Sequence, residues 1–230
     1  MSTIQVTGRD GKSFPAFHVE GPARDAPAIV MIQEIFGVNP AMREAASNWA
    51  AKGYHVVCPD LFWREQAGIE LEPRKPEEFE QAIGLMQRLD HDLAMADLDA
   101  SRLWLQQALG HDRIATVGYC LGGRLAVRAA MEQDFKCAVS YYGVGLDELL
   151  LAATPAIKPT VMHIAELDHF VPPAALAAIS ARAAELPNAD VHVYAACDHG
   201  FARPGGAHFA ADATARAEAT SLRFMSMHLG

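Results

Sequence analysis

Short runs of apolar and β-branched residues alternate along the chain with longer stretches whose apolar positions recur every three or four residues. The short runs predict strands over 28–32, 55–58, 114–117, 137–141, 160–164 and 191–194, with two weaker ones near 4–6 and 16–19. The longer stretches predict helices over 40–51, 76–109, 121–131, 173–185 and 207–227. Pro76 and Pro173 fall at first-turn positions, where a missing N–H breaks no helical bond. The alternation implies an α/β fold with a mostly parallel central sheet and helices on both faces. Several strands are apolar throughout, as expected where both sheet faces are covered. Segment 63–75, with mixed charges and Pro73, reads as a surface loop. No repeat, low-complexity tract or linker interrupts the pattern, so residues 1–230 are expected to form a single domain.

Composition narrows the partners more than the activity. About half of the residues are apolar and a fifth are charged, which is ordinary for a globular chain. A chain of this length buries about three-quarters of its unfolded surface, so neither disulfides nor a metal are needed to hold it together. The formal net charge of −9 argues against nucleic acid and anionic membrane as partners, because both repel it at long range. It says little about a small anionic substrate, since local arginines override the global sign. The first residues lack a basic flank followed by an apolar run, and no apolar stretch approaches the roughly 20 residues that span a bilayer. Cys58, Cys120, Cys137 and Cys197 are widely spaced and form no C-x-x-C pair. Free thiols and a cytoplasmic address are expected.

In parallel sheets the ligand lies at the carboxyl ends of the strands, so the residues just after each predicted strand carry the chemistry. After 114–117 comes Gly118-Tyr119-Cys120-Leu121-Gly122-Gly123 and then a helical pattern. A G-x-nucleophile-x-G turn between strand and helix is a nucleophile elbow, with Cys120 in the place more often held by serine. The glycines let the chain turn sharply, and the following helix N-terminus favours a thiolate. The plainer alternative is a buried cysteine in a glycine-rich turn. After 160–164 comes Glu166-Leu167-Asp168-His169-Phe170, and after 191–194 comes Cys197-Asp198-His199-Gly200-Phe201. Asp168 can orient an imidazole and His199 can take the thiol proton, in the acid-then-base order that such folds require. Taken singly, Asp168 reads equally well as a loop anchor and His199 as a structural histidine. Their placement at three strand ends makes the constellation specific. His169 is the rival base, while His163 lies within a strand and reads as core.

An oxyanion hole takes one N–H from the residue after the nucleophile, here Leu121, and another from the loop after an early strand, where Ile35 is the candidate. Glu34 beside it is unexpected, because a carboxylate near a thiolate discourages ionisation. It needs a cation, and Arg203, four residues after His199, is the candidate. A surface Glu34 and an unrelated loop arginine remain the alternative.

These residues resemble the dienelactone hydrolase family. The likeness rests on Gln33-Glu34-Ile35-Phe36-Gly37-Val38-Asn39, Cys58-Pro59-Asp60-Leu61, the Cys120 elbow, Tyr141-Tyr142-Gly143-Val144-Gly145, Asp168-His169-Phe170-Val171-Pro172 and His199-Gly200-Phe201-Ala202-Arg203. The resemblance implies a lidless α/β-hydrolase fold with a Cys120–His199–Asp168 triad, no metal and no organic cofactor. It implies that Glu34 contacts the resting thiol until an anionic substrate engages Arg203, and that Phe36 and Tyr142 line the substrate site. Family members that cleave dienelactones hold the substrate carboxylate with a second arginine, and here that position reads Phe79. Ile83 and Met86 nearby are less aromatic than their counterparts.

The expected activity is hydrolysis of a small lactone or activated ester through a thioester. A thiolate leaves more readily than an amine or simple alkoxide, so enol esters, lactones and aryl esters are expected substrates and amides are not. The alternatives are a broad carboxylesterase for neutral esters, and a non-catalytic redox sensor using Cys120, with Cys197 as a resolving thiol. The polar outer faces of the helices suggest a monomer.

Overall fold

The first two strands, β1 (Ser2–Thr7) and β2 (Ser13–Val19), pair antiparallel around a turn closed by Gly8 N–H to the Lys12 carbonyl at 2.8 Å. They begin a computed structural model that describes residues 1–230 and divides into two compact units, Met1–Ile114 and Ala115–Gly230. In the first unit, β3 (Ala28–Ile32) leads to α1 (Pro40–Ala51), and β4 (His55–Pro59) follows. β4 pairs parallel with β3 and antiparallel with β2, so the four strands lie in the order β1-β2-β4-β3. Every residue of β3 and β4 is buried, which is why they read as continuous apolar runs.

Helix α1 starts where Asn39 Oδ1 accepts the Met42 N–H at 3.1 Å, and it buries Met42, Ala45, Ala46, Trp49 and Ala50 along one face. The single helix expected over 76–109 is two: α2 (Pro76–Arg88) and α3 (His91–Leu109). Leu89 is extended, and the Asp90 carboxylate accepts the N–H groups of Asp92 and Leu93, starting a new helix. The apolar periodicity runs across this break because both helices bury one face, so the cap is the only sequence mark of it. Segment 63–75 is less superficial than expected. Ile69 and Leu71 are buried, and Glu70 bridges to Gly37, where a Cβ would lie 1.9 Å from the Ile69 carbonyl oxygen. Trp63 donates to the buried Asp97 of α3 at 2.9 Å, and Arg64 pairs with the same carboxylate.

In the second unit the strands β5 (Ile114–Tyr119), β6 (Ala138–Tyr141), β7 (Thr160–Ala165) and β8 (Ala189–Tyr194) are parallel and adjacent in that order. Helix α4 (Leu121–Glu132) follows β5, and the short α5 (Leu146–Leu149) with a 3₁₀ turn at Leu150–Ala152 follows β6. Helix α6 (Pro173–Ala184) follows β7, and α7 (Ala211–Leu229) closes the chain. Four residues are too few to show helical periodicity, which is why α5 escapes the sequence pattern. A core of Met162, Ile164, Val171, Ile179, Ala183, Leu146 and Leu150 packs α5 and α6 against β7. Helix α7 starts four residues later than expected, where Thr214 Oγ1 donates to the carbonyls of Phe201 and Ala210. No helix is long and apolar enough to cross a membrane.

Candidate functional site

Cys120 stands at the carboxyl end of β5 with φ 56° and ψ −117°, a backbone conformation that side-chain-bearing residues avoid. Local sequence makes the turn possible. A Cβ on Gly118 would lie 1.9 Å from the Gly122 carbonyl oxygen, and one on Gly123 would lie 2.8 Å from Gly143 Cα. The turn is anchored from the neighbouring strand, because the Cys120 N–H donates to the Tyr141 carbonyl at 3.0 Å. Cys120 caps α4 without a side-chain hydrogen bond, so the helix N-terminus, starting at Leu121, presents its positive end to the thiol.

Asp168 and His199 come together from the ends of β7 and β8. His199 Nδ1 and Asp168 Oδ2 are 2.7 Å apart, and both side chains are buried. Asp168 Oδ1 also accepts the Phe170 N–H at 2.9 Å. That pairing makes Nδ1 the donor and turns Nε2 away from Asp168. Nε2 is buried and has no well-aligned hydrogen-bond partner. Burial pushes the His199 pKa down, but the Asp168 hydrogen bond and the nearby Cys120 sulfur outweigh it and hold the pKa at about 10. The Cys120 thiol therefore acts on the imidazole without a well-formed bond, as is common before a substrate binds.

Aromatic edges enclose the imidazole. Tyr142 and Phe170 stand T-shaped to it, at 5.1 and 4.8 Å between ring centres. Tyr142 itself has φ 39°. Sequence reasoning missed Phe170, whose signal was its place two residues after Asp168. His169, the rival base, is 60% exposed and faces Asp198 at 3.3 Å, while Asp168 serves His199. His163 is fully buried, as expected of core. Asp168, His169 and Asp198 place possible metal-ligand atoms within 4.8 Å of one another, with both Asp168 oxygens already accepting hydrogen bonds.

Arg203 is half-buried, and its guanidinium folds back over Gly200, where a Cβ would meet it at 3.2 Å. Gly200 has φ 78°, so the glycine between His199 and Phe201 serves both the turn and the arginine.

In the first unit, Gln33, Glu34, Ile35 and Phe36 follow β3 and are all buried. Gln33 shapes this loop: its side chain accepts the Leu61 N–H at 3.1 Å and donates to the Glu34 carbonyl at 3.2 Å. Phe79 of α2 packs on Phe36 with ring centres 5.8 Å apart. Phe79, where the resemblance leads to the expectation of a departure from the family pattern, thus forms an aromatic pair with Phe36.

A cysteine in a strained strand-to-helix turn, a buried acid–imidazole pair and their strand-end placement accord with a carboxylic-ester hydrolase of the α/β-hydrolase fold. The family model for the dienelactone hydrolase family matches residues 14–229, and the chain belongs to that family. A protein of Azospirillum brasilense is 40% identical over the whole of both chains. Carboxymethylenebutenolidase of Pseudomonas putida is 38% identical over 97% of this chain and 95% of its own. A Klebsiella pneumoniae crystal structure superposes with a TM-score of 0.80, covering 98% of this chain and 99% of its own at 23% identity, a likeness of fold.

Proposed function

We propose that this hydrolase cleaves a small lactone or activated ester of dienelactone type, with Cys120 as nucleophile, His199 as base and acid, and Asp168 as the group that orients it. The observation that most supports this is the buried 2.7 Å His199–Asp168 pair beside a cysteine held in a strained strand-to-helix turn. The carboxymethylenebutenolidase name of a full-length relative supports the lactone.

His199 Nε2 takes the Cys120 proton, and the thiolate adds to the ester carbonyl carbon. The Leu121 and Ile35 amides hold the resulting oxyanion. As the adduct collapses, the carbon–oxygen bond breaks and the leaving oxygen takes the proton from Nε2. Water then adds to the thioester while His199 removes its proton, and the thiolate departs with the acid released. The thiolate is itself a good leaving group, so only enolate, phenolate or similarly stabilised leaving groups compete with it. Tyr142 and Arg203 line the acyl side, with Arg203 meeting an anionic substrate. The parts of Glu34, Ile35 and Phe36 rest on the sequence: Glu34 contacts the resting thiol until a substrate anion engages Arg203, and the thiol then turns to His199. The chain works as one domain and as a monomer in the cytoplasm.

The Phe36–Phe79 pair favours a second reading, a carboxylesterase indifferent to a substrate carboxylate. Steady-state hydrolysis of an anionic dienelactone and a neutral aryl ester, with Cys120→Ala as control, tests both. Turnover of the dienelactone lost in Cys120→Ala supports the first reading. Turnover of the neutral ester alone selects the second, and full activity in Cys120→Ala overturns the nucleophile.

A further inference from the structure

Beneath the candidate site lies a chain of buried side-chain hydrogen bonds that the ester chemistry does not use. His163 of β7 reaches the Tyr194 hydroxyl through Nδ1 at 2.9 Å and Ser221 Oγ of α7 through Nε2 at 2.8 Å. Ser221 Oγ also meets the Tyr141 hydroxyl at 2.9 Å and the Ala217 carbonyl at 2.9 Å. One arrangement uses every proton. Tyr194 donates to Nδ1, Nε2–H and Tyr141 donate to Ser221, and Ser221 donates to Ala217. His163 must be neutral for this, and burial pushes its pKa down to about 3. Burial likewise pushes both tyrosines well up, Tyr194 to about 12. The unit therefore keeps its protons across the whole working range of the enzyme.

The main chains of the same residues carry the site. The Tyr141 carbonyl accepts the N–H of Cys120 at 3.0 Å, and the His163 carbonyl accepts the N–H of Tyr142 at 2.7 Å. The Tyr194 carbonyl accepts the N–H of Glu166 at 3.0 Å, at the start of the Asp168 loop. Tyr141 packs at a tilt on His163 with ring centres 4.7 Å apart, and Tyr194 stacks on Phe201, which packs against Tyr142. Two of the three residues anchored in this way have unfavourable positive φ, Cys120 at 56° and Tyr142 at 39°. Such conformations persist only where the surroundings over-determine them.

We propose that Tyr141, His163, Tyr194 and Ser221 act as one positioning unit that ties the ends of β6, β7 and β8 to α7 and holds Cys120 and Tyr142 in their strained, reactive conformations. This rests on the reading of Cys120 as nucleophile. The unit touches no reacting atom. Its effect is on how well the thiol, imidazole and acid loop are aligned, and a misplacement of that kind lowers kcat rather than substrate binding.

The test uses Tyr141→Phe, Tyr194→Phe, the double variant and Ser221→Ala in the full chain, with Cys120→Ala beside them. Each is read by kcat and KM on an aryl ester, by thermal midpoint, and by the iodoacetamide labelling rate at Cys120. Labelling is selective because burial raises the pKa of Cys58, Cys137 and Cys197. Each single variant is expected to lose roughly tenfold in kcat and to label Cys120 more slowly, with KM changed about twofold or less. The two tyrosine hydroxyls do not bond to each other, so a concerted unit predicts a double variant little worse than the poorer single one. Multiplying losses, or parent-like kcat and labelling in all the variants, would overturn the proposal while a dead Cys120→Ala leaves the site reading intact. An active Cys120→Ala would overturn the site reading, and the proposal with it.

Discussion

Asp198 accepts the backbone N–H of His199 at 2.6 Å, while Asp168, from the preceding strand end, holds the ring of the same residue at 2.7 Å. Two Asp-His dipeptides therefore cross. Asp168 serves the imidazole of His199, and Asp198 faces the exposed His169 at 3.3 Å. His208 adds a third restraint by donating from Nδ1 to the His199 carbonyl at 3.1 Å. Main chain and ring of the proposed base are fixed by different carboxylates, so their contributions can be separated.

Replacing Asp198 with alanine removes the main-chain restraint and leaves the imidazole its partner. We expect a loss of roughly tenfold in kcat with KM little changed, against roughly a thousandfold or more for Asp168→Ala. Steady-state kinetics on an aryl ester measure both. Equal losses in the two variants would show that the carboxylates do not divide the task.

The imidazole should titrate far from its ordinary value. His199 is raised from 6.5 to about 10 in the folded protein, so the fold holds this proton more tightly than the unfolded chain does. The stability it confers is then complete below about pH 6.5 and disappears as the pH climbs through about 10. NMR titration of His199 should give a high midpoint that falls in Cys120→Ala, because the sulfur is one of its causes. The stability gap between the parent protein and His199→Gln should narrow over the same window. An ordinary midpoint near 6.5 in the parent would refute the ion pair.

Gly118 has no room for a side chain. Its added Cβ would meet backbone at 1.9 Å on the far side of the elbow, where no side-chain rotation relieves it. Gly118→Ala should destabilise the protein by roughly 4 kcal/mol or open the turn and abolish activity. Urea unfolding read with kcat decides this, and a stable, active variant would mean the elbow relaxes freely.

Phe79→Arg tests the substrate class. Phe79 is 37% exposed and touches Phe36, so a longer charged side chain can be carried there without burying a charge. The ratio of kcat/KM for an anionic dienelactone over a neutral aryl ester should rise roughly tenfold or more. No change in the ratio would remove Phe79 from the substrate question.

Much of the architecture is local chemistry. Fully buried strands such as β3, β4, β5 and β7 are apolar over most of their length, with only an occasional buried polar residue such as His163, so they stand out in the sequence. Cys120 and Asp168 stand out as candidates because each follows such a strand, and His199 because it follows the less buried β8; strand ends are where parallel sheets expose side chains. The G-x-C-x-G spacing carried its own steric reason, which the Gly118–Gly122 approach bears out. The division of 76–109 at Asp90 was present in the sequence as a cap, but the uninterrupted apolar period outweighed it.

Other features have no local signature. Nothing near residue 163 in the sequence indicates that its imidazole meets Ser221, fifty-eight positions away, or that their partners Tyr141 and Tyr194 close the chain. Phe79 packing on Phe36, and Asp198 turning to His199 while His169 turns to Asp198, depend likewise on where separate strand ends and helices meet. Residue types and their order determined which chemistry-bearing groups the chain offers and at which strand ends they stand. Which imidazole pairs with which carboxylate, and what holds the strained cysteine still, was decided by tertiary packing, because hydrogen bonds a few ångströms long depend on distances that sequence spacing does not encode.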